Sequence, residues 1–152
     1  IDVFEQLSAR MPKARLLLVG EGEQEAAMKV LVREKKLADK VIFTGARRDA
    51  NKLYSAMDAF CLPSWYEGLG LVAIEAQACG LPCLCSDNVS TEVDVSSECR
   101  HLPVKSGDAA LWVDALVEIA GRDTRKFGNI GALYDIHIAA RKYQKLIEST
   151  VM

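Results

Sequence analysis

No run of apolar residues in this chain comes near the ~18–20 needed to cross a bilayer, so a membrane span is not expected. The opening residues IDVFEQLSAR have neither the basic stretch nor the apolar core of a secretory signal. Charge of one sign is not in excess either. Nineteen Lys and Arg face 21 Asp and Glu, a net charge of −2, too even for a protein built to hold a nucleic acid backbone. Nucleic acid is therefore excluded as a partner. Histidine is scarce: His101 and His137 are far apart, and neither has a partner at catalytic spacing along the chain, so ordinary surface or core roles are expected. No internal repeat or low-complexity segment is present.

The five cysteines, at 61, 79, 83, 85 and 99, are odd in number, and three lie in apolar runs, which reads as reduced core thiols in a reducing compartment, the cytoplasm. Cys83 and Cys85 would share one face of a strand. Without a second Cys or His pair at ligand spacing, this C-x-C suggests packing and not zinc.

What remains is an ordinary globular composition. With 50% hydrophobic and 26% charged residues, the 152-residue chain can bury a core, and its length suits one domain of ~150 residues. Residues 2–11 place Phe4, Leu7 and Met11 at helical spacing before Pro12, and the strand-like run Leu16 to Val19 follows. Gly20 and Gly22 break that run, and Ala27, Val30 and Leu31 mark an amphipathic helix. The alternation continues through a strand at 41–44, a helix at 49–57, a strand at 59–62, a helix at about 69–79 and a strand at 83–86. Later helices put Trp112, Leu116 and Ile119 on one face, then Ile136, Ala140, Tyr143 and Ile147 on another, the last over 132–149. The Tyr143 stripe reads as packing.

Short continuous apolar strands between amphipathic helices predict a doubly wound, Rossmann-like α/β fold with a parallel sheet covered on both faces. Ligands in such sheets bind beyond the carboxyl ends of the strands, here the loops at 20–22, 45–47, 63–70 and 86–91. The third of these is the most informative: Pro63-Ser-Trp-Tyr-Glu67-Gly68-Leu69-Gly70-Leu71-Val72-Ala-Ile-Glu75-Ala76. Its glycines allow a sharp turn before a helix whose first free N–H groups form an anion seat. Glu67 and Glu75 would stand beside that seat and suit a vicinal diol, so a phosphate ester carried on sugars is the ligand class the residues suggest.

Glu67-x7-Glu75, set in PSWYEGLGLVAIEAQACGLPCLCSD, resembles the retaining glycosyltransferases of family 4, which have the GT-B fold and use nucleotide sugars. LLLVGEGE, VIFTGARRD and LYSAMDAFCLPS are similar to successive strand ends of that family's C-terminal, donor-binding domain, and SDNVSTEVDV resembles bacterial exopolysaccharide and capsule enzymes. The resemblance implies that Glu75 accepts hydrogen bonds from the ribose and that Glu67, the candidate catalytic residue, contacts the transferred sugar. It implies that the amides of Gly68, Leu69, Gly70, Leu71 and Val72 meet the sugar and diphosphate, and that Ala46 and Arg47 hold the base largely by backbone contacts. A uridine diphosphate sugar is the favoured donor, with a glycan or lipid-linked acceptor in polysaccharide synthesis, in the cytoplasm or at the inner face of the membrane through the parent enzyme. No metal is expected, and Glu92-Val93-Asp94 is set aside as a metal triplet because it follows a strand.

In the parent reaction the anomeric configuration would be retained and the leaving diphosphate stabilised electrostatically, with Glu67 positioning the sugar and not attacking it. Relative to the family, these residues lack the N-terminal acceptor domain and the opening strand with its diphosphate-clamping Arg and Lys, so this donor-binding fragment is expected to be inactive alone. A nucleotide-sugar 2-epimerase of the same fold is the alternative enzyme, and a non-catalytic nucleotide-binding or structural module is the alternative outside enzymes. In the family's strand order the absent strand lies between those at 15–19 and 59–62. That gap could close by direct pairing or by a swapped copy, but the expected answer is that the strand precedes Ile1 and has been lost to disorder or cleavage.

Overall fold

The computed structural model describes residues 1–105 and 107–122; the helix expected over 132–149, with Tyr143, and also His137 fall outside the described residues. The order of elements is α1 (Asp2–Arg10), β1 (Leu16–Leu18), α2 (Glu25–Glu34), β2 (Val41–Phe43), α3 (Ala50–Ala56), β3 (Phe60–Leu62), α4 (Leu71–Ala78), β4 (Cys83–Ser86), a 3-10 turn (Thr91–Val93), β5 (Cys99–Leu102) and α5 (Ala109–Ala120). Helix α1 carries Asp2 and Glu5 in its first turn and Arg10 in its last, which suits its dipole, and it stops before Pro12.

Among the described residues the named strands pair only in parallel. Leu16, Leu17 and Leu18 of β1 pair with Val41, Ile42 and Phe43 of β2. In the second sheet β4 lies between β3 and β5, with Cys61 opposite Leu84 and Cys85 opposite His101. Among the described residues β1 and β3 do not pair, so the expected doubly wound arrangement is realised as two parallel sheets, of two and three strands. Direct pairing across the gap is thus not the arrangement adopted.

Helices α1 and α5 hold the two sheets together. Phe4 and Leu7 of α1 pack with Val32, Leu37 and Val41 of the first half and with Val113 of α5. Val113's neighbours on α5, Trp112, Ala115 and Ile119, close over Leu84 of β4. The opposite face of β4 packs on α4, where Cys85 meets Ala73, Ile74, Val89 and Val93. All four residues of β4 are buried, as a central parallel strand requires. The five cysteines are free thiols, but only Cys83 and Cys85 are core residues; Cys79 and Cys99 are partly buried and Cys61 is exposed. β5 was not anticipated, because Cys99-Arg100-His101-Leu102 has no apolar run.

One fully buried amide, Gln77 of α4, ties the segment after the 3-10 turn to the helix. Its Nε2 donates to the carbonyls of Ala73 (3.0 Å) and Val93 (2.7 Å). Its Oε1 accepts from the N–H of Val95 (3.2 Å) and of Ser96 (3.0 Å) and from the Ser96 hydroxyl (3.0 Å). Replacing Gln77 by leucine keeps the volume but orphans these groups, at about 1–3 kcal/mol for each group left buried and unpaired. Urea unfolding should show Gln77→Leu destabilised by at least about 3 kcal/mol, and an unchanged midpoint would refute the assignment.

Glu118 of α5 links β5 to the helix end. Arg100 donates to both of its oxygens, at 2.6 and 2.7 Å, and Arg122 also pairs with it. Hydrogen bonds from Arg100, then from Arg122, lower its pKa from 4.5 to about 2. A depressed carboxylate pKa stabilises the fold above the unfolded value and loses that contribution as pH falls through the folded one. Stability of the wild type should therefore decline between pH 4.5 and about 2 more steeply than that of Glu118→Gln. Because the group is exposed, the difference should shrink in high salt. Parallel acid-unfolding curves for the two proteins would contradict it.

Candidate donor-binding site

The loop after β3 turns into α4 at Gly70, which adopts the left-handed conformation with φ 58° and ψ 45°. A Cβ there would lie 3.3 Å from Glu67 Cγ and 3.4 Å from both Leu62 Cδ2 and Val89 Cγ1. Glycine is thus demanded by backbone conformation, while a Cβ would be only slightly crowded, by the side chain of Glu67. From this residue the helix begins with Ala73 N–H donating to the Gly70 carbonyl at 2.9 Å. Among the described residues the N–H groups of Gly68, Leu69, Gly70, Leu71 and Val72 have no acceptor. Leu71 and Val72 are 57% and 40% exposed, so those donors face solvent at the positive end of the helix. The arrangement can accept an anion.

Glu67 is exposed and accepts a 3.1 Å hydrogen bond on Oε2 from the Ser64 hydroxyl. Ser64 is in turn held by buried Ser86 at the end of β4, whose hydroxyl donates to the Ser64 carbonyl. Glu75 lies farther along α4, where Oε2 accepts from the Tyr54 hydroxyl of α3 at 3.1 Å. Burial first, and then the hydrogen bond to Glu75, push the Tyr54 pKa upward, which keeps the hydroxyl a donor. Tyr54 escaped sequence reading because nothing in its own helix marks it; only the packing of α3 on α4 does.

An open depression of about 420 Å³ adjoins Glu67, lined by Trp65, Tyr66, Glu67, Gly68 and Asn88. Trp65 and Tyr66 are 58% and 96% exposed, an unusual display of aromatic surface beside a carboxylate. Neither they nor Asn88 were anticipated as site residues, although a Trp-Tyr pair in a polar turn is itself a signal.

Ala46 and Arg47 sit on the loop after β2, in the other sheet, and share no hydrogen bond with the 63–75 segment among the described residues. The Ala46 N–H donates to Glu21 Oε1 at 3.3 Å. Arg47 donates twice to Asp49, at 2.8 Å each. Gly20 N–H donates to the Gly45 carbonyl at 3.0 Å, which ties the loops after β1 and β2 to each other. His101, expected to lack a partner, has one in space: its Nε2 is 2.8 Å from Asp94 Oδ1, a pair that distance along the chain conceals.

Gly70→Ala should lower stability by about 1–2 kcal/mol from the left-handed backbone alone, before any crowding. Thermal unfolding of the variant against Gly68→Ala, whose Cβ would meet nothing within 4 Å, isolates the effect. Equal stability of the two variants would argue against the constraint.

The family model for glycosyl transferases group 1 matches residues 1–122. EpsF of Bacillus subtilis (strain 168), named as a glycosyltransferase, is 30% identical, and the match covers 90% of this chain and 40% of EpsF. A D-inositol 3-phosphate glycosyltransferase of Mycolicibacterium smegmatis is 32% identical over 80% of this chain and 30% of its own length. Among solved structures, sucrose-phosphate synthase from Thermosynechococcus elongatus superposes with a TM-score of 0.77 at 28% identity, over 99% of this chain and 42% of that one. The chain therefore spans less than half the length of these relatives. With a matching model over most of its length, the chain belongs to the glycosyl transferases group 1, in a Rossmann-like half of the GT-B fold.

Proposed function

We propose that this chain is the donor-binding half of a retaining glycosyltransferase that takes a sugar from a nucleoside diphosphate, a uridine diphosphate sugar being favoured, to a glycan or lipid-linked acceptor in polysaccharide synthesis. The observation that carries this reading is the run of unpartnered amides from Gly68 to Val72 at the start of α4, flanked by two anchored carboxylates. The amides would take the diphosphate, Glu75 the ribose hydroxyls and Glu67 the transferred sugar. Among the described residues no helix is long and apolar enough to cross a membrane, which suits a cytoplasmic enzyme that meets its acceptor at a membrane face.

In the reaction, amides fixed by the fold would stabilise charge developing on the leaving diphosphate without reorganising, where electrostatic catalysis is strongest. Glu67, held by Ser64, would orient the sugar ring. The acceptor, and the groups that position it, belong to the rest of the enzyme. No metal takes part in donor binding on this reading, because helix amides supply the positive potential.

Titration calorimetry with uridine diphosphate tests the assignment. Glu75→Ala should lose about 1.5–3 kcal/mol of binding, roughly ten- to a hundredfold, as a charge-assisted hydrogen bond is removed. Equal affinity in variant and wild type would sink the ribose role. Binding of no nucleoside diphosphate would favour a purely structural module.

A further inference from the structure

The parallel register of β4 and β5 puts Cys85 opposite His101 and Cys83 opposite Cys99. Side chains alternate along a strand, so Cys85, Cys99 and His101 leave the sheet on the same face. Above that face comes Asp94, in the segment that Gln77 grips through Val93, Val95 and Ser96. The ligand atoms of Asp94, Cys99 and His101 all lie within 4.8 Å of one another. Cys85 Sγ is 3.9 Å from Cys99 Sγ.

The orientation of His101 is a second, independent observation. Its Nδ1 lies 3.2 Å from the Ser86 carbonyl oxygen, which can only accept, so Nδ1 carries a hydrogen. That leaves Nε2 directed at the Asp94 carboxylate. An imidazole whose far N–H donates to a backbone carbonyl while its other nitrogen faces a cluster of thiol and carboxylate groups is arranged as metal-bound histidines are. Without a cation, Nε2 needs a second proton to meet the carboxylate.

We propose that Asp94, Cys99 and His101, with Cys85 beside Cys99 closing in as the fourth ligand, form a tetrahedral site for a divalent metal ion of the zinc class. Thiolate, imidazole and carboxylate are all donors that zinc takes in tetrahedral sites. Zinc–sulfur bonds of about 2.3 Å imply a sulfur–sulfur edge of about 3.8 Å, and the thiols already stand at 3.9 Å. The 2.8 Å between His101 and Asp94 would open to about 3.3 Å around bonds of about 2.0 Å. On binding, both thiol protons and the proton on His101 Nε2 pass to solvent. Asp94 and His101 are partly exposed, which provides the path of entry. No residue of the 63–75 loop and helix start supplies a ligand, so the ion is a staple and not a catalyst. It would join β4, the segment after the 3-10 turn and β5 behind Ser86, which holds the Glu67 loop through Ser64.

The test is titration of the full chain, stripped with a chelator and kept reduced, with cobalt(II) and then zinc. The expected spectrum has the intense visible bands of a tetrahedral ion and a thiolate charge-transfer band, saturating at one ion per chain and erased by zinc. Cys99→Ser and His101→Ala should each weaken binding more than about a hundredfold, since the loss of mere supporting groups already costs about ten- to a hundredfold. Cys61→Ser should change nothing. Zinc should also raise the Tm of wild type and not of His101→Ala. Failure to take up cobalt, a weak octahedral spectrum without thiolate charge transfer, or equal affinity in His101→Ala would overturn the proposal. If Cys99→Ser does not fold, the wild-type spectrum and the partly exposed His101 variant still decide.

Discussion

The hydrogen bonds of Gln77 are the constraint on which the ligand-facing end of the second sheet depends. A buried amide with unmet hydrogen bonds would cost more than it contributes, yet Gln77 meets donors and acceptors on both atoms within one helix turn and one loop. The result is that α4 cannot rotate or slide without breaking its grip on the 93–96 segment. Because the same helix begins at Gly70, the orientation of its free amides is fixed by an interaction more than one turn away. Ser86 performs the matching task from the sheet, since its buried hydroxyl holds the Ser64 carbonyl and so the loop that carries Glu67. The rim is thereby located from two directions, by a helix and by a strand, neither of which needs the ligand to be in place.

Much of this was legible in the residues. The four apolar runs from Leu16, Val41, Phe60 and Cys83, and the helices between them, were visible because both faces of a parallel sheet are covered and its strands read as continuous hydrophobic stretches. β5 was not, because it lies at an edge and Arg100 reaches outward to Glu118 of α5. Glu67, Gly70 and Glu75 were singled out by glycines and carboxylates near a helix start, and the structure places them just before, at and along the start of α4. Tyr54, Asn88 and the partner of His101 are brought to their places by tertiary packing, for which a linear reading holds no local signal. At Ala46 the structure adds what spacing does not carry: an exposed carboxylate, Glu21, accepts its N–H.

The separation of the sheets puts unusual weight on α1 and α5. Parallel sheets gain rigidity from continuous ladders, and here no ladder runs from β1 to β3 among the described residues. The halves are instead joined mainly by apolar contact, with Phe4 and Leu7 against Val113 on one side and Val3 beside Leu84 and Trp112 on the other, to which an exposed Arg10–Asp114 ion pair between α1 and α5 adds little. Apolar contact is non-directional and tolerates small rotations that a hydrogen-bonded ladder would resist. The loops at 20–22 and 45–47 are therefore coupled to the 63–70 loop more softly than the members of either group are coupled to one another.

That softness bears on how the carboxylates would work in the proposed donor site. Glu67 and Glu75 each have Oε2 engaged by a hydroxyl, from Ser64 and Tyr54, while Oε1 of each has no partner among the described residues. One oxygen anchors the side chain and the other is left for a ligand. A long, flexible carboxylate ordinarily gives up rotamer freedom when it binds, at about 0.5–1.5 kcal/mol for each side chain immobilised. Here part of that loss is already incurred in the folded chain, so more of the interaction with a vicinal diol would appear as affinity. The anchoring also explains why both hydroxyls come from the same sheet half as α4. Had either come from the other half, the relative motion of the two would reach the carboxylates, and the geometry at the sugar would be no firmer than the apolar seam between α1 and α5.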